Sequence, residues 1–123
     1  AEGGVGSAKD VAHLLAHMAL HTPELLEHTA EQGGTFVSES GFTHVAYNTN
    51  PHVSNTPGML GSKTGYTHLA GGNLAVVFDA GLAHPVVAVT LGSTREGRFA
   101  DVERLKRALY EYVESGWYEF DIR

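Results

Sequence analysis

The stretch of this 123-residue chain best equipped for chemistry is Gly61-Ser62-Lys63-Thr64-Gly65-Tyr66-Thr67. It sets an ammonium, a hydroxyl and a position without a side chain next to one another. A nucleotide-phosphate loop is excluded, because that motif needs Gly directly before the Lys and another six positions before it, where this chain has Ser62 and Pro57. What fits is a carboxylate and a carbonyl that gains negative charge. A strand that ends beside a nucleophile presents Lys63 as a fixed positive charge, the Thr64 hydroxyl as a donor, and backbone N–H groups to the developing oxyanion. Gly65 leaves room for a substrate backbone to approach, since a side chain there obstructs it. His68 follows closely enough to line the same site, the alternative being a plain loop histidine.

A second candidate is the series His13, His17 and His21. An i, i+4 His pair is a metal-ligand spacing, but on a helix His13 and His21 stand about 12 Å apart along the axis, too far to share one ion. No Cys or carboxylate gathers with them. We read the stripe as a half-exposed polar flank, about 110° around the helix from the apolar stripe, and expect no metal and no other cofactor.

The elements that must position Lys63 follow from capping and periodicity. Ser7-Ala8-Lys9-Asp10 has capping-box spacing, and Val11, Leu14, Leu15 and Met18 then recur on one helical face, predicting a helix to about Leu20 packed on a core. Thr22-Pro23-Glu24 predicts a second, short helix to about Thr29, with Thr22 as its cap. Residues 35–38 and 43–47 read as a hairpin around Glu39-Ser40-Gly41. The turn formers from Asn48 to Gly61 predict an irregular loop that leads into the Lys63 segment. Residues 73–78 and 85–91 are nearly continuous apolar runs, which is how strands buried on both faces look, and their short connection predicts an antiparallel pair. A last amphipathic helix runs from about Arg98 to Glu114 on Val102, Leu105, Leu109 and Tyr112 or Val113, closed by Gly116. The fold class is α+β, an antiparallel sheet flanked by helices.

Composition narrows the function classes. With 8 Lys plus Arg against 14 Asp plus Glu the formal charge is −6, which argues against nucleic acid, since phosphate binding needs a dense basic surface. Five of the basic residues do lie between Arg95 and Arg107, but Glu96, Asp101 and Glu103 are interleaved, and we read a solvated helix face. No apolar run approaches the ~20 residues of a membrane span. There is no Cys, so thiolate chemistry is excluded. The aromatic residues Tyr110, Tyr112, Trp117, Tyr118 and Phe120 read as core packing at the chain end, ahead of a stacking platform for a ligand.

Beyond the Lys-Thr-Gly triplet, further blocks occur in a fixed order: Gly6-Ser7-Ala8-Lys9-Asp10-Val11-Ala12, Asn48-Thr49-Asn50, Ala70-Gly71-Gly72-Asn73-Leu74, Val89-Thr90-Leu91-Gly92-Ser93 and Arg98-Phe99-Ala100-Asp101. From about residue 5 to 115 the chain resembles the low-molecular-mass penicillin-binding proteins, the serine-type D-Ala-D-Ala carboxypeptidases of the β-lactamase-like superfamily. The resemblance implies catalytic roles for Lys63, Thr64, Gly65 and Tyr66, the last through its backbone N–H as one of two oxyanion donors. It implies substrate binding for Thr67, in a supporting role, with His68 beside it. The implied ligand is a peptidoglycan stem peptide or a β-lactam, and the implied location is the cell envelope, periplasmic or otherwise extracytoplasmic.

The departures are as informative. The residues three before Lys9, Lys63 and Lys106 are Gly6, Leu60 and Glu103, so no Ser-x-x-Lys exists, and no Asn has Ser two positions earlier. In the family both elements lie upstream of the helix that here begins at Ser7. Residues 1–123 are therefore expected to be one partial catalytic domain, the C-terminal portion, inactive alone and needing its N-terminal portion or self-association to cover the Val86–Leu91 edge. The alternative is a non-catalytic module that binds a peptide or partner along the Lys63 strand. Some relatives end the last strand in an Arg that holds the substrate carboxylate, whereas this chain has Ser93 there, and Arg98 stands in another register.

Overall fold

The apolar run around Val76 sets the architecture, because its five central residues are all buried and β5 and α3 pack against them. The computed structural model describes residues 3–81 and 83–116. In chain order come α1 (Ala8–His21), α2 (Glu24–Glu27), a 3-10 turn (His28–Ala30), the strands β1 (Gly33–Val37) and β2 (Thr43–Tyr47), a second 3-10 turn (Val53–Asn55), β3 (Met59–Thr67), β4 (Gly71–Asp79), β5 (Pro85–Ser93) and α3 (Gly97–Glu114). β1 and β2 form a separate antiparallel hairpin, while β3, β4 and β5 form an antiparallel sheet with β4 in the middle.

Leu74, Val76 and Phe78 share one face of β4 and pack with Ala88 of β5 and Val102 of α3. Ala75 and Val77 turn to the opposite face and are buried as well, so β4 is the doubly covered strand that its sequence predicts. β5 differs. Only Ala88 of it is buried, because it lies at the sheet margin with one neighbour. A β-branched run reads the same in a central strand and in a half-covered one, so the pattern overstated its burial and the expected open edge is what the structure has.

α1 starts where the capping box requires. The Asp10 N–H donates to Ser7 Oγ at 3.1 Å, and the Ser7 N–H and hydroxyl each donate to the Asp10 carboxylate at 2.8 Å. These bonds, the Ser7 N–H first and its hydroxyl second, with a smaller contribution from His13, hold the Asp10 carboxyl below the usual carboxylate range. The apolar stripe of α1 is not core, however: none of its residues is buried, and Leu14 is 60% exposed. The Thr22 side chain does not cap α2, although its carbonyl accepts the Leu25 N–H at 3.0 Å. Thr22 closes α1 instead, its N–H donating to the Met18 carbonyl, while the N-cap position of α2 is Pro23.

α3 corrects a fourth expectation. Arg98 and Lys106, read as solvated, are 7% and 9% exposed, whereas Leu105, Tyr112 and Val113 are more than 40% exposed. Lys106 Nζ donates to Glu103 at 2.9 Å, reaches Thr56 Oγ1 at 3.4 Å and lies 5.8 Å from the centre of the Phe78 ring. Gly116, with φ of +74°, ends the helix as predicted. Trp117, Tyr118 and Phe120 lie outside the described residues. Among those residues no helix is long and apolar enough to cross a membrane.

Candidate active site

Lys63 and Thr64 lie on β3, whose side away from β4 is only partly covered. That cover is made by the turn His28–Ala30: the Ser62 N–H donates to Thr29 Oγ1 at 3.0 Å, and Ser62 Oγ to the Thr29 carbonyl at 3.2 Å. Asn48 locks the turn, its Nδ2 donating to the carbonyls of Thr29 and Glu31 at 2.8 and 2.9 Å. Its Oδ1 accepts from the Asn50 N–H, and Asn50 Oδ1 from the His52 N–H, two Asx turns in succession. Asn50 is itself buried. The irregular segment after β2 is thus a bracket that fixes β3 relative to the small hairpin.

Two hollows flank the exposed part of β3. One, about 220 Å³, lies toward the hairpin and is lined by Tyr47, Asn48, Thr49, Lys63 and Thr64 among others. The other, about 470 Å³, lies toward α1, with Leu14, Met18, Leu25, Lys63, Gly65 and Leu91 in its walls. The unburied stripe of α1 borders this second space.

Within this setting Lys63 is exposed, and its Nζ donates to the Thr64 carbonyl of its own strand. The charge is therefore held at the strand margin. The Thr64 hydroxyl is hydrogen-bonded to the Thr49 hydroxyl. A hydroxyl can give one hydrogen and accept at its lone pairs, so when Thr49 donates, Thr64 keeps its hydrogen for another acceptor. Sequence reasoning gave Thr49 no role beyond its place in the Asn-Thr-Asn block, because nothing local announces a partner fifteen residues away.

Gly65 has no conformational need to be glycine. Its φ is not in the left-handed region, and a Cβ built on it meets only the Asn73 Cβ, at 3.9 Å. Gly72, opposite Tyr66, is the contrast: a Cβ there collides with the Thr94 backbone oxygen. Tyr66 is 41% exposed, with Arg95 5.3 Å over its ring and the His68 ring 5.8 Å away, edge-on. Thr67 Oγ1 accepts from the Ala70 N–H at 2.9 Å and so shapes the turn into β4. Lys63, Thr64 and Gly65 are thus brought together along the groove, whereas Tyr66, Thr67 and His68 lead away into the β3–β4 turn.

Of the His series, the His17 and His21 rings lie 4.4 Å apart on α1. Among the described residues no group of three or more His, Cys, Asp or Glu side chains is placed to hold a metal ion.

Comparison with known proteins bears on the family and the fold. A family model described as D-alanyl-D-alanine carboxypeptidase matches residues 1–95. Among solved structures, penicillin-binding protein D2 from Listeria monocytogenes in its ampicillin-bound form is 29% identical, with a TM-score of 0.72 over 86% of this chain and 42% of that one. A D-alanyl-D-alanine carboxypeptidase from Mycobacterium tuberculosis is 28% identical over 63% of this chain and 28% of its own, with a TM-score of 0.50. A Streptomyces K15 DD-transpeptidase mutant shares the fold at 21% identity, a TM-score of 0.61 and 85% coverage of this chain, 45% of its own. The chain thus spans less than half the length of each of these structures. No match is found among curated protein sequences.

Proposed function

Because this chain belongs to the D-alanyl-D-alanine carboxypeptidase family, we propose that it supplies the Lys-Thr-Gly wall of a serine peptidase site, the attacking serine coming from polypeptide outside these 123 residues. The observation that carries the reading is the exposed margin of β3, where Lys63 and Thr64 face open grooves while Ser62, one residue earlier, is buried against Thr29. The substrate class is a peptidoglycan stem peptide ending in D-Ala-D-Ala, with β-lactams as acylating mimics, handled at the cell envelope.

In this reading the Lys63 ammonium attracts the terminal carboxylate and raises the acidity of the nucleophile, and the Thr64 hydroxyl donates to the same carboxylate. The serine oxygen bonds to the penultimate carbonyl carbon and the carbonyl oxygen takes the negative charge, facing the Tyr66 N–H. The C–N bond to the terminal D-alanine then breaks, its nitrogen taking up the proton that the serine hydroxyl lost in the attack, and water hydrolyses the resulting ester and returns a proton to the serine oxygen. Thr67 supports the strand end through its turn bond, and His68 borders the substrate approach through Tyr66. The open margin of β5 calls for cover by the remaining part of the domain or by a second copy. The second reading is a peptide-binding module without catalysis, holding its ligand along the Lys63 strand.

Labelled penicillin separates the two. The chain alone stays unlabelled, whereas a fusion behind the portion of the Listeria protein that this chain does not match, expected to bring Ser-x-x-Lys, is labelled covalently and loses label on Lys63→Ala. A cooperatively folded fusion that takes no label refutes the catalytic reading. Uptake by the chain alone refutes the placement of the nucleophile.

A further inference from the structure

Arg98 is a charge in an unfavourable place. It is the second residue of α3, at the helix end where the aligned peptide dipoles give a partial positive charge and an acidic side chain is the stabilising choice, although the Gly97, Arg98 and Phe99 N–H groups are bonded to Thr94 Oγ1, the Thr94 carbonyl and the Glu96 carbonyl. That first turn carries no acid. It carries a guanidinium that is 7% exposed and whose Nε has no hydrogen-bond partner. A buried cation with an orphan donor is destabilising, so the bonds it does make identify what it is for.

Nη1 donates to the Gly65 carbonyl at 2.9 Å and lies 3.5 Å from the Asn73 carbonyl across the β3–β4 pair, with the guanidinium 4.8 Å over the Phe99 ring. The Gly65 carbonyl and the Tyr66 N–H belong to one peptide plane, and in a trans peptide they point in opposite directions. With Arg98 on the carbonyl side, the Tyr66 N–H faces the other way. Strand parity gives the same answer independently. The Ser62 N–H leaves β3 on its free side to reach Thr29, and the register is unbroken from Ser62 to Thr67. N–H direction repeats every second residue, which places the N–H groups of Thr64 and Tyr66 on that free side too.

We propose that Arg98 is a positioning residue for the oxyanion site: it anchors and polarises the Gly65–Tyr66 peptide, so that the Tyr66 N–H is held aimed at the substrate carbonyl oxygen. The inference rests on the functional reading above and adds a residue to it. A charge-assisted bond to the carbonyl both fixes the plane and strengthens the N–H on its far end as a donor. Buried against backbone oxygens, Arg98 acts through that peptide rather than by touching substrate.

Two variants test it, Arg98→Gln and Arg98→Lys, in the isotope-labelled chain and in the fusion described above. In the chain, Arg98→Gln moves the Gly65 carbonyl carbon and the Tyr66 amide proton upfield, and Arg98→Lys restores part of the shift. In the fusion, Arg98→Gln slows penicillin acylation about tenfold or more, as expected for a misaimed oxyanion donor, with the dissociation constant of the preceding non-covalent complex changed by no more than about twofold. A role confined to pinning α3 lowers the melting temperature and leaves both readouts unchanged, which overturns the inference. So does a rise in the dissociation constant without a rate effect, the mark of direct carboxylate binding. Acylation indifferent to Arg98 refutes this inference alone, whereas an unsubstituted fusion that never acylates takes the functional reading with it.

Discussion

Replacing Gly65 with Ala separates stability from function more cleanly than any other change in β3. Its added Cβ meets a single neighbour, the Asn73 Cβ at 3.9 Å, an ordinary van der Waals contact, and the backbone there is not left-handed. Ala also restricts the unfolded chain, so Gly65→Ala is expected to hold stability level or raise it by about 0.4–1 kcal/mol. The methyl group, however, stands on the β3 face that carries Lys63 and lines the groove toward α1. A substrate backbone displaced there by about 1 Å reacts roughly a hundredfold more slowly. Gly72→Ala is the control: its Cβ meets the Thr94 backbone oxygen, which cannot retreat without moving the start of α3, and a loss of about 1–3 kcal/mol is expected. Urea unfolding followed by circular dichroism gives the stabilities, and labelled-penicillin acylation of the fusion gives the rate. Unchanged acylation by Gly65→Ala, or a stability loss above about 2 kcal/mol, refutes the claim that this glycine serves an external ligand.

Two further changes probe the frame. Lys106→Met keeps the side-chain volume over Phe78 while removing a buried ammonium whose carboxylate partner among the described residues, Glu103, is half exposed; stability should stay level or rise by about 1 kcal/mol, and a fall above about 2 kcal/mol in urea unfolding counts against that account. Asp10 titrates lower in the folded chain than in the unfolded one, so its contribution is present above the unfolded value and is lost as pH falls through the folded one. Its side-chain carbon followed by NMR should therefore show a midpoint below that of a free aspartate, with the Ser7 amide shifting in step; a midpoint at or above the free value excludes the capping box.

What the sequence disclosed was local or strongly periodic. The Ser7–Asp10 box involves partners three residues apart, and the burial of Leu74–Phe78 is written in its own composition. The triplet Lys63-Thr64-Gly65 stood out through residue type, and the structure sets it on β3 beside open grooves. Arg98 and Lys106 depart from expectation because a charged side chain can be buried when its helix position faces the core. Each stands four residues from buried Val102, so helical geometry puts all three on one flank, and that spacing was the available signal. The apolar stripe of α1 misled in the opposite sense, since periodicity identifies a face without saying whether its cover lies within the same 123 residues. Thr49 and the Asn48 bracket arise from contacts across loops, which neither period nor propensity encodes.

The coupling of Thr49 to Thr64 has a directional consequence. Two alcohols joined by one shared hydrogen can be arranged in two senses, donor to acceptor or the reverse. Under the proposed function, an anion arriving at Thr64 selects the sense in which Thr49 gives and Thr64 passes its own hydrogen outward. Arrival of charge thus sets a two-link relay whose far end lies in the loop after β2, and Thr49→Val cuts the relay while leaving the receiving threonine in place.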